Sequence, residues 1–525
     1  MRPLLLALVT IAPTAWAAAA TADRPNIVFF ALDDMNDWIR PLGYEQAITP
    51  NMERLAAAGI TFTNAHTAGV FCAPSRSALF TGRHASTTGC YSTQVYHHDH
   101  PDIRPLQVVL HDAGYATFGA GKLFHHPAGY LDRRGWDEFH VQDPAQKRRG
   151  WPLESWTLDM DILPVPFPHG PFQRGQELTP ALFLEWGPVK NEDEERIPDT
   201  IRTTWICDVL KRKHDKPFFA AVGLHAPHFP NYAPQKYFDL YDAATIEPPA
   251  IKEDDLEDLP PAVRRAKENR AAHHKRLVEL GAVKDAIHGY LACVSYADAM
   301  LGRVLDAIAS GPNADDTIVV LWSDHGFHHG EKYDWGKHTL WERTSNVPLI
   351  VGGPGIARGE RIDATVSLID LFPTVTALAG AEDGQPRDGV SLAGVLEDPA
   401  TARDREVLLP GVRPDDYAVI NRDWRYIHYA DGGEELYDVQ RDRHEWDNLA
   451  ALPEHRPLIE RLRGRAPATF APPGPEKQDL RLQIDGEDFR WEVDPRNRPP
   501  GRRDKRRAKP AVDRSAGEGA SAATR

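Results

Sequence analysis

The sequence predicts an α/β protein built on a large mixed sheet with helices on both faces, followed by a smaller C-terminal subdomain with an antiparallel sheet. Three observations support this prediction: continuous apolar segments, amphipathic segments between them, and a change of composition after about Gly380. A strand that is apolar throughout has both faces buried, which requires helices on each side of its sheet. At 525 residues, the chain has room for one large domain and a smaller partner.

Predicted strands and helices alternate along the chain as far as Gly380. The strands are predicted at residues 26–31, 217–222, 317–322 and 347–351, where β-branched and aromatic residues are frequent. Apolar residues at helical spacing predict helices, and ligands of open α/β sheets bind beyond the carboxyl ends of the strands. We therefore expect the chemistry at those ends. The predicted helices are 51–58, 285–309 and 368–379.

Composition divides the chain into four regions. The N-terminus has a basic residue at Arg2, a short apolar stretch and small residues around Ala17, which is typical of a secretory signal and too short for a membrane span. Segments 424–429 and 434–439 predict the antiparallel subdomain, and the basic, proline-rich end predicts a disordered tail. The predicted regions are a signal peptide at 1–22, a catalytic domain at 23–380, the C-terminal subdomain at 381–471 and the tail at 472–525.

Charge and cysteine content exclude several classes of protein. The net charge of -15 argues against a general nucleic-acid binder, so no nucleic acid is expected as a partner. After the signal, no segment approaches the length of a membrane span, and we expect an exported protein, periplasmic or secreted. The four cysteines are too few for a disulfide scaffold of this size, so no structural disulfide is expected.

Acidic residues directly follow two of the predicted strands. Asp33 and Asp34 come after the strand at 26–32, and Asp324 comes after the strand at 317–322. Carboxylates at the carboxyl ends of two strands can supply oxygen ligands to a divalent cation in one crevice. Taken alone, each site is also compatible with a turn or a helix cap, so a further motif has to decide.

The most specific motif is Cys-Ala-Pro-Ser-Arg-Ser-Ala-Leu-Phe-Thr-Gly, at residues 72–82. It matches the sulfatase signature Cys-x-Pro-Ser-Arg-x-x-x-x-Thr-Gly at every fixed position, with Phe80 where leucine is usual, and the chain therefore resembles the type I, formylglycine-dependent sulfatases. A buried cysteine near a helix start is the alternative interpretation. The resemblance implies an alkaline-phosphatase-like fold, hydrolysis of a sulfate ester, and a formylglycine-generating maturation enzyme that oxidises Cys72 before folding.

The resemblance implies a nucleophile with a metal ion beside it. Formylglycine at position 72, as its hydrated aldehyde, supplies the attacking hydroxyl, and the second hydroxyl later expels sulfate. One divalent cation per chain, calcium in the family, stabilises the charge on the nucleophile and on the sulfate oxygens. His325 is unusual in such a set because calcium prefers oxygen to imidazole nitrogen. The implied ligands are Asp33, Asp34, Cys72, Asp324 and His325.

The resemblance also implies cationic and imidazole groups around the sulfate. Arg76, one helical turn after Cys72, would orient the hydrated aldehyde and the metal carboxylates. In the segment Gly-Lys-Leu-Phe-His that ends at His125, Lys122 would bind sulfate and His125 would lie near the hydrated aldehyde. Without the signature, a solvated lysine and a structural histidine would be the ordinary interpretation of this segment.

Two further residues complete the implied site. His225 follows the predicted strand at 217–222, and the resemblance makes it a sulfate ligand or the general acid for the leaving alcohol. Lys337 has the place of the family's second sulfate-binding lysine, and a surface lysine is the alternative. His228 and His338 are candidates for residues that support the site from outside.

Within the family, the chain resembles the iduronate-2-sulfatase branch most, over most of residues 24–450. Relatives of this branch often have His-Lys-Pro-His where this chain has His-Ala-Pro-His, so Ala226 replaces a cation that could hold an anionic sugar. We therefore expect a sulfated carbohydrate as the substrate, without specificity for iduronate. The segments that carry the resemblance are 121–125, 225–228, 295–302, 324–337, 436–438 and 448–450.

Two alternative functions stay open on the sequence. A phosphomonoesterase or phosphodiesterase of the same superfamily acts on a tetrahedral anion of the same geometry, but a two-metal site needs a second ligand set about 4 Å from the first. The sequence does not supply that set convincingly. A glycan-binding protein in which Cys72 is never converted is the second alternative, because conversion depends on the host. Rates on aryl sulfate and aryl phosphate, and the mass of the peptide containing Cys72, discriminate among these functions.

Overall fold

The structure, a computed structural model, describes residues 24–125, 131–140, 184–485 and 488–494. The predicted signal peptide at 1–22 and the end of the predicted tail, residues 495–525, lie outside the described residues. Within the described part, no helix combines the length and the apolarity that crossing a membrane requires.

The described strands form one large sheet and several small ones. They are β1 Asn26–Leu32, β2 Gly59–Phe62, β3 Ala65–His66, β4 Ala116–Gly121, β5 Glu138–His140, β6 Trp186–Val189, β7 Phe218–Gly223, β8 Asn231–Pro234, β9 Thr317–Ser323, β10 His328–His329, β11 Trp335–Gly336, β12 Leu349–Gly352, β13 Glu360–Ile362, β14 Val366–Ser367, β15 Val407–Pro410, β16 Tyr417–Ile420, β17 Trp424–His428, β18 Glu434–Asp438, β19 Leu480–Asp485 and β20 Asp488–Val493. The large sheet has the order β13-β2-β12-β9-β1-β7-β4-β5. In it, β1 is parallel to β7 and β9, whereas β12 is antiparallel to β9 and β2, so the sheet is mixed, as predicted.

Helices cover both faces of the large sheet. In chain order, the described α-helices are α1 Pro50–Ala57, α2 Cys72–Thr81, α3 Ala85–Thr88, α4 Tyr96–Asp99, α5 Leu106–Asp112, α6 Pro198–Leu210, α7 Gln235–Phe238, α8 Pro261–Glu279, α9 Val283–Ala309, α10 Glu342–Ser345, α11 Leu371–Leu378, α12 Ala393–Glu397 and α13 Arg456–Arg463. The helices predicted at 51–58 and 285–309 are α1 and α9. The helix predicted at 368–379 begins with a 3-10 turn, Leu368–Asp370, and continues as α11.

Residues of β1 alternate between two hydrophobic cores, one on each face of the large sheet. Val28, Phe30 and Leu32 lie in the core that includes α1, α6 and α9, whereas Ile27 and Phe29 lie in the core that includes α2, α5 and α11. All seven residues of the strand are buried. This double burial explains why the strand is apolar throughout instead of alternating with polar residues.

The C-terminal subdomain is a four-stranded antiparallel sheet in the order β15-β16-β17-β18, packed against α13. The strands predicted in this region are β17 and β18. Arg425 of β17 is buried and donates to the carbonyl oxygen of Leu340 at 2.8 Å, and the indole of Trp341 donates to Glu435 at 2.7 Å. These contacts attach the subdomain to the segment that follows Lys337.

The chain after residue 472 differs from the predicted tail. The strands β19 and β20 form an antiparallel hairpin. Leu480 and Trp491 of this hairpin are buried in the core that includes α2, α5 and α11. The prediction of disorder from residue 472 onward is therefore wrong for the described residues up to 494. The hairpin was missed because its few apolar residues are separated by charged ones, which is also the pattern of a solvated tail.

Candidate active site

The carboxyl ends of β1 and β9 and the start of α2 meet at one edge of the large sheet. Because β1 and β9 are adjacent and parallel, Asp33 and Asp34 emerge beside Asp324 and His325. The helix α2 begins at Cys72. Asp34 has φ 63°, in the left-handed region that aspartate tolerates better than most residues, so the chain turns sharply where the strand ends.

The side chain of Cys72 is buried and surrounded by polar groups from four segments. Its Sγ atom lies 3.4 Å from Oδ1 of Asp33 and 3.2 Å from Nε2 of His325. Two ammonium groups approach the same sulfur, that of Lys337 at 3.4 Å and that of Lys122 at 3.7 Å. An atom bound to Cβ of residue 72 therefore lies between acidic, imidazole and cationic groups.

Four side chains are placed to hold a metal ion. One ligand atom each from Asp33, Asp34, Cys72 and His325 lies within 4.8 Å of all the others. The Oδ2 atom of Asp34 is buried and receives no hydrogen bond from the described residues. A buried carboxylate oxygen in that state is costly unless a cation satisfies it. The donor set is thus compatible with a divalent cation.

Asp324 adjoins this cluster but shares its oxygens with other groups. Its Oδ2 accepts a hydrogen bond from Nε of Arg76 at 2.7 Å and lies 3.6 Å from Nε2 of His325. Its Oδ1 accepts from the backbone N–H groups of Asp34, at 3.2 Å, and of His325, at 2.9 Å. Asp324 therefore joins α2 to the ends of both strands.

The three buried carboxylates of the site each pair with a cation. The pairs are Arg76 with Asp324, Lys122 with Asp33, and Lys337 with Asp34. Burial alone would raise the pKa of Asp33, but Lys122 and further cationic groups hold it well below its usual value. Burial raises the pKa of Asp34, and Lys337 opposes this shift only in part. Burial lowers the pKa of Lys337, but the attraction of Asp34 and its neighbours exceeds that effect and raises it.

The thiol of Cys72 is poorly suited to ionise in this position. Burial raises its pKa, and the negative charge of Asp33 adds to the increase, although Lys122 and Lys337 oppose it. Thiol nucleophiles react as thiolates, and a thiol held neutral is a weak nucleophile. The location of residue 72 suits a nucleophile, whereas the protonation of an unmodified thiol does not.

Two histidines after β7 face the carboxylates. Nδ1 of His225 lies 3.5 Å from Oδ2 of Asp33, and Nε2 of His228 lies 3.7 Å from Oδ2 of Asp34. The two imidazole rings lie 4.6 Å apart between centroids. Burial lowers the pKa of His225 to about 4. His225 is therefore a neutral imidazole near neutral pH, with one N–H to donate.

Asp199, in the first turn of α6, positions the histidine segment and was not predicted. Its carboxylate accepts from the backbone N–H groups of His225 and Ala226, each at 2.9 Å, and pairs with the buried Arg202 at 2.7 Å. The sequence signal was limited to Pro198-Asp199, which indicates only the start of a helix. The contact with His225 could not be foreseen from that pattern.

His125 and His338 flank Phe71, the residue before Cys72. The ring of His125 packs edge-on against Phe71 with 5.9 Å between centroids, and the ring of His338 lies 4.7 Å from it. Burial lowers the pKa of His125 well below its usual value, and the charge of Lys122 adds to this. The structure thus places the predicted site residues around one crevice, with His125 at its wall.

A family model described as Sulfatase matches residues 25–381 of this chain, and one described as N-sulphoglucosamine sulphohydrolase, C-terminal, matches residues 330–469. A sulfatase from Formosa agariphila is 35% identical over 86% of this chain and 87% of its own length. A choline-sulfatase from Rhizobium meliloti is 28% identical over 82% and 84% of the two chains, and human iduronate 2-sulfatase is 27% identical over 70% of each.

Solved structures share the architecture. Phosphonate monoester hydrolase from Silicibacter pomeroyi superposes with a TM-score of 0.67 at 20% identity, over 90% of this chain and 99% of that one. A protein solved with its substrate D-glucosamine-2-N,6-O-disulfate superposes with a TM-score of 0.62 at 21% identity, over 84% and 96% of the two chains. At these identities, the likeness concerns the fold.

Proposed function

Because this chain belongs to the sulfatase family of sulfuric ester hydrolases, we propose that it removes sulfate from a sulfated carbohydrate, with residue 72 as the nucleophile. In the overall reaction, a sulfate ester and water give an alcohol, sulfate and a proton. We propose that a maturation enzyme first converts Cys72 to formylglycine, whose hydrated aldehyde supplies a hydroxyl group for covalent catalysis.

The position of Cys72 is the observation that carries this proposal. It begins a helix at the edge where β1 and β9 end, and its Sγ lies within 3.7 Å of Lys122 and Lys337. A sulfate group bound at residue 72 would have its negative oxygens beside these two ammonium groups. Fixed cations that need no rearrangement during the reaction stabilise the charge that develops there.

We propose that the site holds one calcium ion, which would act as a Lewis acid on the sulfate oxygens when bound. The carboxylates of Asp33 and Asp34 in the four-residue cluster, and the buried Asp34 oxygen that receives no hydrogen bond from the described residues, support a hard cation, with the carboxylate of Asp324 beside them. His325 is the least typical calcium ligand, so a measurement of metal content has to include magnesium, manganese and zinc. The proposed ligands are Asp33, Asp34, Asp324, His325 and the converted side chain of residue 72.

The chain's own cations and histidines then have distinct roles. We propose that Lys122 and Lys337 bind sulfate oxygens and that Arg76 holds Asp324 against the start of α2. His225, held by Asp199, would donate a hydrogen bond to a sulfate oxygen or to the leaving oxygen. Position, rather than a high pKa, is the support for this role of His225.

A sulfated carbohydrate is the substrate class that we propose. By its name, the human relative acts on iduronate 2-sulfate, and one structural neighbour was solved with a disulfated glucosamine. A choline-sulfatase is also among the relatives, so a small sulfate ester without a sugar has to be tested alongside. We further propose export of the protein, on the pattern of residues 1–22.

The proposal is tested with protein produced together with a formylglycine-generating enzyme. Mass analysis of the peptide containing Cys72 should find the aldehyde in place of the thiol. Aryl sulfate should be hydrolysed much faster than aryl phosphate, and a set of defined sulfated oligosaccharides and choline sulfate should identify the leaving alcohol. Faster hydrolysis of the phosphate by converted protein would contradict the sulfatase proposal, and hydrolysis of choline sulfate alone would contradict the carbohydrate class.

A further inference from the structure

A cavity of about 390 Å³ lies between helix α8, the segment after Lys337 and the C-terminal sheet. Its size is within the range of cavities that bind small molecules. Its walls combine cationic, acidic and aromatic side chains. The lining includes Val70, Arg270, His338, Arg413, Asp431 and Tyr429.

The cavity is lined in part by residues of the two segments that contain Cys72 and Lys337. Val70 is two residues before Cys72, and His338 follows Lys337, whose ammonium group lies 3.4 Å from Sγ of Cys72. The backbone N–H of His338 donates to the carbonyl oxygen of Val70 at 3.0 Å. The two segments that form the cation and nucleophile side of the site are therefore also the wall of the cavity.

Arg270 brings positive charge to this wall. Its Nε atom lies 3.0 Å from Oδ1 of Asp334, and its Nη1 atom donates to the carbonyl oxygen of Lys337 at 3.2 Å. The buried ammonium group of Lys267 pairs with the same carboxylate of Asp334. Two cations thus share one carboxylate, and the side chain of Arg270 remains 29% exposed. Arg270 therefore presents accessible positive charge to a ligand, although the whole chain has a net charge of -15.

Lining residues from the C-terminal subdomain carry groups suited to hydroxyls. Arg413 pairs with Asp416 at 2.6 Å and remains more than half exposed, and Asp431 and Tyr429 also line the cavity. A sugar presents both hydroxyl groups and apolar C–H faces. Carboxylate oxygens and guanidinium N–H groups can hydrogen-bond the hydroxyls, and an aromatic ring can pack on an apolar face. A purely apolar alcohol would make no hydrogen bond with these groups.

We propose that this cavity binds the saccharide that carries the sulfate ester, and that Arg270 recognises a second anionic group on it, a carboxylate or a further sulfate. This inference rests on the proposed function and adds the location and charge of the leaving group. Arg270 presents a planar fork of donors, which matches the oxygens of either anion.

The test compares Arg270→Ala with Arg276→Ala, an exposed arginine of the same helix that pairs with Glu279. The substrate is 4-nitrophenyl sulfate, which has no saccharide, and the competitor is a disulfated disaccharide with a uronate carboxylate. Carboxyl-reduced and monosulfated forms of the disaccharide show which anion is recognised. In Arg270→Ala, the inhibition constant of the disulfated uronate should rise about tenfold or more, as for loss of a charge-assisted contact.

Hydrolysis of the aryl sulfate distinguishes a loss of saccharide recognition from structural damage to the active site. If Arg270 only supported Lys337 through its carbonyl oxygen, kcat/KM for 4-nitrophenyl sulfate would fall together with disaccharide binding, and this result would overturn the inference. The inference expects any fall in kcat/KM for 4-nitrophenyl sulfate in Arg270→Ala to be much smaller than the rise in the inhibition constant, whereas Arg276→Ala should leave both values within about twofold of the unsubstituted enzyme. Absence of inhibition by every disaccharide would also overturn it, while leaving the sulfatase activity intact. Failure of the proposed function is distinguishable, because then the unsubstituted protein would not hydrolyse 4-nitrophenyl sulfate.

Discussion

At the residue scale, two ammonium groups lie beside the side chain of Cys72, where negative charge would develop during sulfate transfer. Lys122 and Lys337 reach its sulfur from two different segments, and each is also paired with a buried carboxylate. These pairs hold the ammonium groups in place before any substrate binds. An anion that enters therefore meets cations already oriented, which is the arrangement that lowers the barrier of a charge-developing reaction.

We expect Cys72→Ala to abolish hydrolysis of aryl sulfate without loss of the fold, because alanine keeps the helix start but cannot become an aldehyde. Activity with 4-nitrophenyl sulfate and the thermal unfolding midpoint are the measurements. Cys207→Ala removes a thiol on α6 and is the matched control, for which activity should persist. Substantial turnover by Cys72→Ala would remove residue 72 from the mechanism.

Lys122→Ala and His225→Ala should each lower the rate at least about 100-fold, the usual loss for a charge-stabilising donor in a dry site. Lys211→Ala, at the exposed end of α6, is the control and should retain the rate. Steady-state kinetics with aryl sulfate and circular dichroism of each variant are the measurements. Near-normal kinetics of either site variant would exclude that residue from sulfate binding.

At the scale of elements, the ends of β4 and β7 can approach each other closely because each ends in a glycine, Gly121 and Gly223. Gly121 has φ 71°, and a Cβ atom there would overlap the carbonyl oxygen of Gly223. The backbone N–H of Lys122 donates to that same carbonyl at 2.8 Å. The close approach of the two strands thus determines where Lys122 leaves the sheet, which is a place where glycine is required.

For Gly121→Ala, we expect at least about a tenfold loss of activity together with a loss of stability above about 1 kcal/mol, because alanine at positive φ is strained and the strand must shift. The measurements are aryl sulfate kinetics and urea unfolding. Gly394→Ala in α12 is the matched control, since a Cβ there meets no atom within 4 Å. Equal behaviour of the two variants would show that the strand end accommodates a methyl group.

At the scale of the whole molecule, a charge network joins the C-terminal sheet to helix α10. Arg425 of β17 pairs with Glu342, just after the Lys337 segment, and lies 2.6 Å from Glu445. Burial raises the pKa of Glu445 to about 7, although Arg425 opposes this. Burial also acts to raise the pKa of Glu342, but Arg425, His66 and a hydrogen bond from Asn346 together outweigh it, so the pKa of Glu342 is lowered. Glu342 therefore supplies the lasting negative charge, and Glu445 takes up a proton below neutral pH.

The proton on Glu445 makes stability depend on pH. Its pKa is about 7 in the folded protein against an ordinary value of 4.5 for glutamate, so the folded state binds more protons than the unfolded state between these pH values. The contribution of Glu445 to the free energy of unfolding is complete below pH 4.5 and is lost as the pH rises through 7. Glu445→Gln, which stays neutral, should lose less stability than the unsubstituted protein between pH 5 and pH 8.

Urea unfolding at the two pH values checks this prediction. Glu460→Gln, on the exposed face of α13, is the control and should follow the unsubstituted protein. A parallel loss of stability in Glu445→Gln would show that Glu445 is already ionised at the lower pH. A normal hydrolysis rate in both variants is expected, because the network is outside the site.

The α/β class was predictable because the central strands are apolar throughout and the long helices keep a regular apolar period, as β1, β9 and α9 show, whereas the alkaline-phosphatase-like fold was implied by the resemblance to sulfatases. The signature at residues 72–82 predicted membership of the sulfatase family, and both predictions are confirmed. The hairpin of β19 and β20 was not predictable, because its stability depends on burying Leu480 and Trp491 in a core made by distant helices.

Local patterns of residues were thus sufficient for the family and the central strands, because the burial of a strand and a contiguous motif are properties of neighbouring residues. The roles of the candidate site residues stay predictions. Contacts across the chain decided the rest. Asp199 can position the histidine segment only because the fold brings it beside His225. Arg270 can contact a ligand of the cavity only because the fold brings it beside Lys337 and the cavity. Packing sets such distances between residues far apart in sequence, and no periodicity along the chain encodes them.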